Sequence, residues 1–242
     1  MENDINEPFI QYKDAEEDQQ DDIEIKQKIR EGFISKVYGI IAFQIIITAI
    51  VVYFGLVNSS FQELLLKSTS LLLICLFISL FCVLLPICFT SIYQRVPINY
   101  IVLIIFTLSY SWIVAAATCR YTITSVMFSL FLTFITVLTL TVYAWKTKDD
   151  FTVVGGTLSV CLVLLIFISI FYLIIPLQIF HILILYGGLV LFSIYLIYDT
   201  QLLIGKGKER FSEDDYILAA INIYLDIILL FLKILEIFGE KK

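Results

Sequence analysis

The sequence is poor in the residues that build metal sites and nucleophilic active sites. His181 is the only histidine, and the five cysteines form no Cys-x-x-Cys pair. A zinc site needs several such ligands at close spacing, and a Ser–His or Cys–His mechanism needs a histidine placed as its base. We therefore expect no bound metal, redox motif, disulfide scaffold or resident cofactor. The cysteines lie in or at the ends of apolar runs and are expected to pack as small apolar side chains; they are Cys75, Cys82, Cys88, Cys119 and Cys161.

Charged residues are also scarce, and this scarcity indicates the class of protein. They make up 16% of the 242 residues, whereas 60% are apolar and 15% are aromatic. Soluble domains are roughly 45–50% apolar and interrupt their apolar residues at helix or strand period, but here the apolar runs are nearly unbroken. Runs of about 20 residues can cross a hydrocarbon core of about 30 Å as helices. The sequence therefore predicts an integral membrane protein.

Seven apolar windows predict seven transmembrane helices. Short connections that contain proline or glycine, such as those around Pro97 and Gly205, separate neighbouring windows. The predicted fold class is an all-α membrane protein, a seven-transmembrane helix bundle over residues 32–242. The windows cover residues 34–56, 69–90, 98–118, 122–144, 153–175, 180–203 and 216–238.

The first 31 residues are of a different kind. They contain much of the acid behind the net charge of −6, above all between Asp14 and Asp22. Such a run is typical of a solvated, disordered segment. We expect residues 1–31 to be an acidic disordered cytosolic tail, with a partner-binding site as the alternative. The segment has neither the basic start nor the cleavage site of a secretory signal, so the first apolar run is expected to remain as a helix.

Lysine and arginine in the short loops predict the orientation, since positive residues are retained in the cytosol. They precede span one and occupy the second, fourth and sixth loops, whereas the opposite loops contain only Lys67 and Arg120. The amino terminus is therefore predicted to be cytosolic. Seven spans would place the carboxyl terminus in the lumen or outside the cell. Lys241 and Lys242 argue weakly against that side, and a re-entrant last segment is the alternative.

Two aspartates lie inside the last two apolar windows, where an acidic side chain costs on the order of 2.5–3.5 kcal/mol on insertion scales. Asp226 lies near the middle of span seven, with Asn222 one helical turn earlier on the same face. Asp199 lies about one turn inside span six and is followed by Thr200. We predict that Asp199 and Asp226 form a functional pair, with Asn222 and Thr200 as supporting polar groups.

The loop between spans six and seven is short, so the two helices are predicted to be antiparallel neighbours that bring the carboxyl groups together. Two buried carboxyls cannot both be ionised cheaply, and a single shared proton is expected. Gain or loss of that proton near neutral pH would switch how the helices pack, and the ionised oxygens of Asp199 and Asp226 would be transient calcium ligands. The alternative is that either aspartate only caps a helix or hydrogen-bonds a neighbouring span.

Other charged or titratable residues in the spans and at their ends are expected to have structural roles. Lys233 and Glu236 are three residues apart and are expected to form a same-face pair. His181 opens span six and is expected to be an interfacial residue rather than a sensor. Arg95 and Arg120, at span ends, are expected to anchor to lipid headgroups.

An intramembrane enzyme is not expected. Paired aspartates are the chemistry of aspartyl proteases, but neither aspartate stands in the Gly-x-Gly-Asp setting that such membrane enzymes would show. His181, the only histidine, has no serine or cysteine nucleophile at a fitting position.

Several stretches of the chain resemble one known family. The lead-in to span one, Phe-Ile-Ser-Lys-Val-Tyr, and the loop after span four, Ala-Trp-Lys-Thr-Lys-Asp-Asp-Phe-Thr, are similar to its sequences, as are Pro-Ile-Asn-Tyr and Phe-Thr-Leu-Ser in span three. The most specific stretches are Tyr-Asp-Thr-Gln-Leu-Leu-Ile-Gly, residues 198–205, and the segment 215–227 around Asp226. From about residue 30 to its end, the chain resembles the Lifeguard branch of the Bax inhibitor motif family.

The resemblance implies a seven-helix bundle with the last helix central and a pH-sensitive calcium leak across an internal membrane. In eukaryotic members it implies protection against apoptosis at the endoplasmic reticulum or Golgi. The family's paired aspartates map onto Asp199 and Asp226. Calcium, the lipid bilayer and cell-death regulatory membrane proteins are the expected partners, and no nucleic acid is expected. The alternative function is a non-conducting membrane interaction protein that regulates cell death through partners.

Two departures from the family pattern bear on gating. Tyr110 stands where relatives usually carry a glutamate after Phe-Thr-Leu-Ser, and span two contains no basic residue where some bacterial relatives place an arginine. The resemblance therefore implies either gating that rests on the aspartate pair without these supports, or altered gating.

Overall fold

A computed structural model describes the backbone of residues 6–89 and 91–242, and the side chains from residue 20 onward apart from residues 22, 87, 88 and 90. In this part of the chain, seven helical stretches are long and apolar enough to cross a membrane. The predicted all-α fold class and the number of spans are therefore confirmed.

The helices follow one another with short connections. Span one is α1 (Asn6–Val57), and the surface helix α2 (Ser59–Lys67) leads to span two, α3 (Thr69–Cys88). The one-turn helix α4 (Ser91–Gln94) precedes span three, α5 (Ile98–Thr118), and span four, α6 (Ile123–Lys146). Span five begins with a 3₁₀ turn (Phe151–Val154) and continues as α7 (Gly155–Ile174). Span six comprises α8 (Gln178–Ile182), a π-helical turn (Leu183–Gly187) and α9 (Gly188–Ile204), and span seven is α10 (Tyr216–Phe238).

Helix α1 begins well before the predicted first span. The stretch Ile23–Val57 contains a window apolar enough to cross a membrane, and the helix continues back to Asn6 through acidic sequence. Most of the stability of a helix in a protein comes from the packing of an apolar face, which the acidic sequence does not offer. The helical backbone of this segment therefore does not test the predicted acidic disordered tail. That tail over residues 1–31 stays a prediction, and its first five residues lie outside the described part of the chain.

Helix α10 is the centre of the bundle, as the resemblance implied. Of its apolar window 61% is buried inside the protein, against 50% or less for every other span. It packs against α1, α5, α6 and α9. Its central position is therefore set by its contacts with spans on both sides.

The remaining spans form two layers on either side of α10. One layer contains α1, α3 and α5, and the other contains α6, α7 and α9. The outer spans two and five are the most lipid-exposed, with 11% and 6% of their apolar windows buried. Most of their side chains therefore have acyl chains rather than protein as neighbours.

The carboxyl terminus lies at the end of the bundle opposite the α9–α10 loop. After α10 ends at Phe238, the Thr122 N–H donates to the Glu240 carbonyl at 3.0 Å and the Lys242 N–H donates to the Arg120 carbonyl at 2.9 Å. These bonds join the last residues to the α5–α6 connection. Span seven is therefore one unbroken helix that is long enough to cross a membrane.

Candidate functional site

Asp199 on α9 and Asp226 on α10 meet where the two helices pack together. Both are buried, with 4% and 5% of their surface exposed. Their carboxyl groups lie close enough for a hydrogen bond to join them when one of them carries a proton. An ionised carboxylate only accepts hydrogen bonds, so a bond between two carboxyls requires a proton on one of them. The structure thus brings together the two residues that we predicted as a pair, and their gating role stays a prediction.

The described residues supply no other hydrogen bond to either carboxyl group, and one oxygen of Asp226, Oδ2, has no protein donor. Of the two supporting residues, Asn222 shares a cavity with the pair. Thr200 is fully buried, and its hydroxyl has no hydrogen-bond partner in the described part of the chain. A buried polar pair with so few partners is costly to maintain.

A cavity of about 590 Å³ opens beside the pair. Its outer wall is α3, its inner wall is formed by α9 and α10, and α5 and α7 each contribute a side chain. None of its lining residues is Lys, Arg or His. Its polar lining consists of the two aspartates with Ser79, Tyr110, Tyr195, Tyr198 and Asn222.

Tyr110, at the position where the resemblance implies a glutamate, lies on the wall of this cavity. Its ring stacks on Phe106 at 5.5 Å and meets the Tyr224 ring edge-to-face at 6.0 Å. The position therefore supplies aromatic packing between α5 and α10 rather than a third carboxyl near the pair.

Arg30 joins the start of span one to the end of α9, close to Asp199. Its guanidinium donates to the Leu202 carbonyl at 2.5 Å and to the Phe211 carbonyl at 2.7 Å, and it lies 3.5 Å from the Glu213 carboxylate. Carbonyls at the end of a helix lack partners within that helix, and a cation satisfies them well. Helix α9 ends here because Gly205 adopts a left-handed conformation, with φ of 74°.

Gln201 ties the loop after α6 to the same helix end. Its side-chain oxygen accepts from the Phe151 N–H at 2.7 Å, and its side-chain nitrogen donates to the Asp149 carbonyl at 2.9 Å. In the same loop the Thr152 hydroxyl donates to Asp150 and lowers the pKa of that partly buried carboxyl. Two residues after Asp199, α9 is thus hydrogen-bonded to the connection between spans four and five.

A buried polar network on the opposite side of α10 joins spans one, three and seven. The Thr48 hydroxyl lies 2.7 Å from the Tyr224 hydroxyl and 2.9 Å from the Ser111 hydroxyl. One turn away, the Gln44 amide nitrogen donates to the Thr107 hydroxyl at 3.1 Å. Sequence reasoning missed this network, although its residues in spans one and three are four apart and so share one face of each helix.

Three charged or titratable residues meet where span six begins and span seven ends. The expected same-face pair is present, with Lys233 Nζ 3.4 Å from Glu236 Oε2. His181 Nε2 lies 3.2 Å from Glu236 Oε1, so the residue expected to be interfacial also contacts this pair. The Lys233 side chain passes Gly188 so closely that a Cβ there would lie 3.0 Å from its Cε.

The carboxyl pair is a sparse set of metal ligands. In the described part of the chain, no three His, Cys, Asp or Glu residues are grouped as metal ligands. Calcium takes six to eight oxygens in its stable protein sites. Asp199 and Asp226 can therefore offer an ion carboxylate oxygens in passing, but they do not form a coordination cage.

A family model and several similar proteins place this chain in the same family. The model of the family "Inhibitor of apoptosis-promoting Bax1" matches residues 30–242. Protein LIFEGUARD 3 of Arabidopsis thaliana is 38% identical over 217 residues, which cover 87% of this chain and 85% of that protein. The BI1-like protein of the same plant is 36% identical over 89% of this chain and 83% of its own length. Protein lifeguard 3 of Homo sapiens is 30% identical over 89% of this chain and 70% of its own length.

The match to the family model covers both aspartates and all seven spans, the first of them from residue 30 onward. This chain therefore belongs to the Bax inhibitor-1 family, on its Lifeguard branch, whose members are integral membrane proteins implicated in the regulation of cell death.

Proposed function

We propose that this protein is a pH-sensitive calcium leak channel of an internal membrane, which helps to set organelle calcium and restrains apoptosis. The observation that carries the proposal is the contact between the buried carboxyl groups of Asp199 and Asp226. An acid pair inside a membrane is expensive, and apolar residues would stabilise the α9–α10 interface at least as well. The pair is therefore better explained by function than by stability.

The shared proton would act as the switch. While one proton lies between the carboxyls, the pair links α9 to α10 and carries one negative charge. Loss of that proton would place two negative charges in contact, and their repulsion would separate the two helices. Arg30 and Gln201 fix the nearby end of α9, so the movement would be confined to the helix turns around the pair.

The freed oxygens would then be ligands for calcium, the transported ion. Two carboxyl groups and the nearby Asn222 offer fewer oxygens than a stable calcium site, so the ion would keep part of its water shell. Weak binding suits a leak, because conduction requires an ion to leave as readily as it enters.

The orientation in the membrane, the organelle and the partners of the protein are also proposed. The distribution of Lys and Arg supports a cytosolic amino terminus. The endoplasmic reticulum or Golgi is the proposed organelle, as the resemblance implies. We propose no enzymatic activity and no resident cofactor. The lipid bilayer and cell-death regulatory membrane proteins are the proposed partners besides calcium.

Calcium flux into liposomes that contain the purified protein tests this function. Wild type is compared with Asp199→Asn and Asp226→Asn from about pH 6 to about pH 8. Asp214→Asn, an exposed acid in the α9–α10 loop, is the matched control. A flux above that of empty liposomes, altered by either pair substitution and unaffected by the control, is expected. No flux at any pH from folded protein would contradict the leak and favour a non-conducting protein that regulates cell death through partners.

A further inference from the structure

The cavity beside Asp199 and Asp226 has the features of a ligand site as well as those of an ion path. Its volume of about 590 Å³ lies within the range of small-molecule sites, roughly 300–1,000 Å³. Most of its lining is apolar, and all of its polar groups except Ser79 of α3 lie on α5, α9 and α10. A ligand that fits it would therefore have a long apolar part and one polar end.

The charge of the site determines which polar group the ligand would carry. A pair that shares one proton carries one negative charge, and no Lys, Arg or His lines the cavity to balance it. Lys233 lies two turns further along α10, but it is already engaged by Glu236. One oxygen of Asp226 has no protein donor. A cation with N–H donors would supply both the missing charge and the missing hydrogen bond.

Aromatic rings line the same cavity. Tyr195 and Tyr198 lie within a turn of Asp199, and their rings meet edge-to-face at 6.3 Å. Tyr110 of α5 also lines the cavity. Aromatic faces beside a carboxylate are the combination that proteins use to bind ammonium groups.

The apolar end of the cavity lies at the lipid surface. Phe77 and Leu80 of α3 line it and are 70% and 54% exposed on the bundle. Helix α3 packs against α5, whereas α7 packs against α9, and the cavity lies between these two pairs. A molecule dissolved in the bilayer can therefore enter sideways, without crossing water.

We propose that this cavity binds a membrane-soluble amine, an alkylammonium whose tail lies along α3 and whose cationic head contacts the Asp199–Asp226 pair. The inference goes beyond the proposed leak, since it requires the charge of the pair but no conduction. It rests on the leak only for its consequence, which is that the amine would compete with calcium for the carboxyl oxygens.

Binding of radiolabelled dodecylamine tests the proposal in the absence of calcium. The full chain is placed in nanodiscs of phosphatidylcholine, and binding to empty nanodiscs is subtracted. We expect saturable binding that unlabelled dodecylamine displaces and that 1-dodecanol, with the same tail and no charge, does not. Asp226→Asn is expected to weaken binding by about tenfold or more, because a charged hydrogen bond is lost.

A second pair of variants tests the cavity while leaving the carboxyls in place. Leu80→Trp would fill the cavity from its rim, whereas Phe81→Trp adds a similar ring at the next position, which is 64% exposed and outside the cavity. We expect Leu80→Trp to lose binding and Phe81→Trp to retain it.

Equal displacement by 1-dodecanol, or equal binding by Leu80→Trp and Phe81→Trp, would overturn the proposal and leave an apolar groove filled by lipid tails. The comparison of the two tryptophan variants decides the question even if Asp226→Asn does not fold. Because the assay contains no calcium, its failure would leave the proposed leak untouched, and absence of a leak would leave the amine site standing.

Discussion

Asp199 and Asp226 are in carboxyl-to-carboxyl contact across the α9–α10 interface, and neither receives a hydrogen bond from any other described residue. We therefore expect the two carboxyls to titrate as one unit. Replacement of either aspartate is expected to abolish the joint titration.

We accordingly expect the two single substitutions to be non-additive. Asp199→Asn and Asp226→Asn should each remove most of the pH dependence of calcium flux, and the double variant should behave like either single one. The measurement is the ratio of flux at about pH 6 to flux at about pH 8 for the four proteins. Additive effects on this ratio would mean that the aspartates act independently.

Arg30 should stabilise the fold through the end of α9. Its side chain is 12% exposed and its guanidinium bonds two carbonyls, so Arg30→Gln is expected to lower the free energy of unfolding by roughly 1–3 kcal/mol. Lys28→Gln is the control, because Lys28 lies on the same helix in an exposed pair with Glu24. Unfolding in detergent, followed by circular dichroism, measures both. Equal stability of the two variants would show that the Arg30 bonds contribute nothing to folding.

The Thr48–Tyr224 hydrogen bond should couple span one to span seven. Thr48→Val and Tyr224→Phe each remove one partner of the 2.7 Å contact. A bond between transmembrane helices is worth about 0.6–1.7 kcal/mol, and we expect a coupling energy of this size in a double-mutant cycle of unfolding. A coupling energy of zero would contradict the bond. Thr139→Val is the control, since that exposed hydroxyl bonds only its own helix.

The cluster of His181, Lys233 and Glu236 should contribute to stability at the other end of spans six and seven. Glu236→Gln would leave the Lys233 ammonium, whose side chain is 16% exposed, without its carboxylate. Because Glu236 itself is 33% exposed and screened by solvent, we expect a loss of about 1 kcal/mol. Glu63→Gln, which breaks the exposed Lys67–Glu63 pair, should change little. Thermal unfolding of the two variants side by side gives the answer, and equal midpoints would argue against any contribution from the cluster.

The spans and the aspartate pair were accessible to sequence reasoning for physical reasons. Long apolar runs leave few alternatives to membrane helices, and Asp226 in the middle of such a run is conspicuous because its cost is high. The short loop before α10 then makes spans six and seven neighbours. Register within this pair follows from helix geometry, so the contact of Asp199 with Asp226 could be expected before the structure.

The other features depend on tertiary geometry that the sequence does not specify. Arg30 bonds backbone carbonyls of Leu202 and Phe211, and any helix end offers carbonyls, so residue types do not indicate which end it reaches. The spacing of Gln44 and Thr48 defines a polar face, but not the span that it meets. The cavity exists because α3 and α7 pack on different neighbours, which is a property of the whole bundle.

The shared proton is the central claim, and infrared difference spectroscopy at neutral pH tests it most directly. A protonated, hydrogen-bonded carboxyl has a C=O stretch that an ionised carboxylate lacks. If Asp199 and Asp226 share one proton, wild type shows a single such band that titrates with pH, and Asp199→Asn and Asp226→Asn each alter that same band, whereas Asp214→Asn leaves it in place. Two separate bands, each removed by one substitution alone, or no protonated carboxyl at neutral pH, would contradict the account.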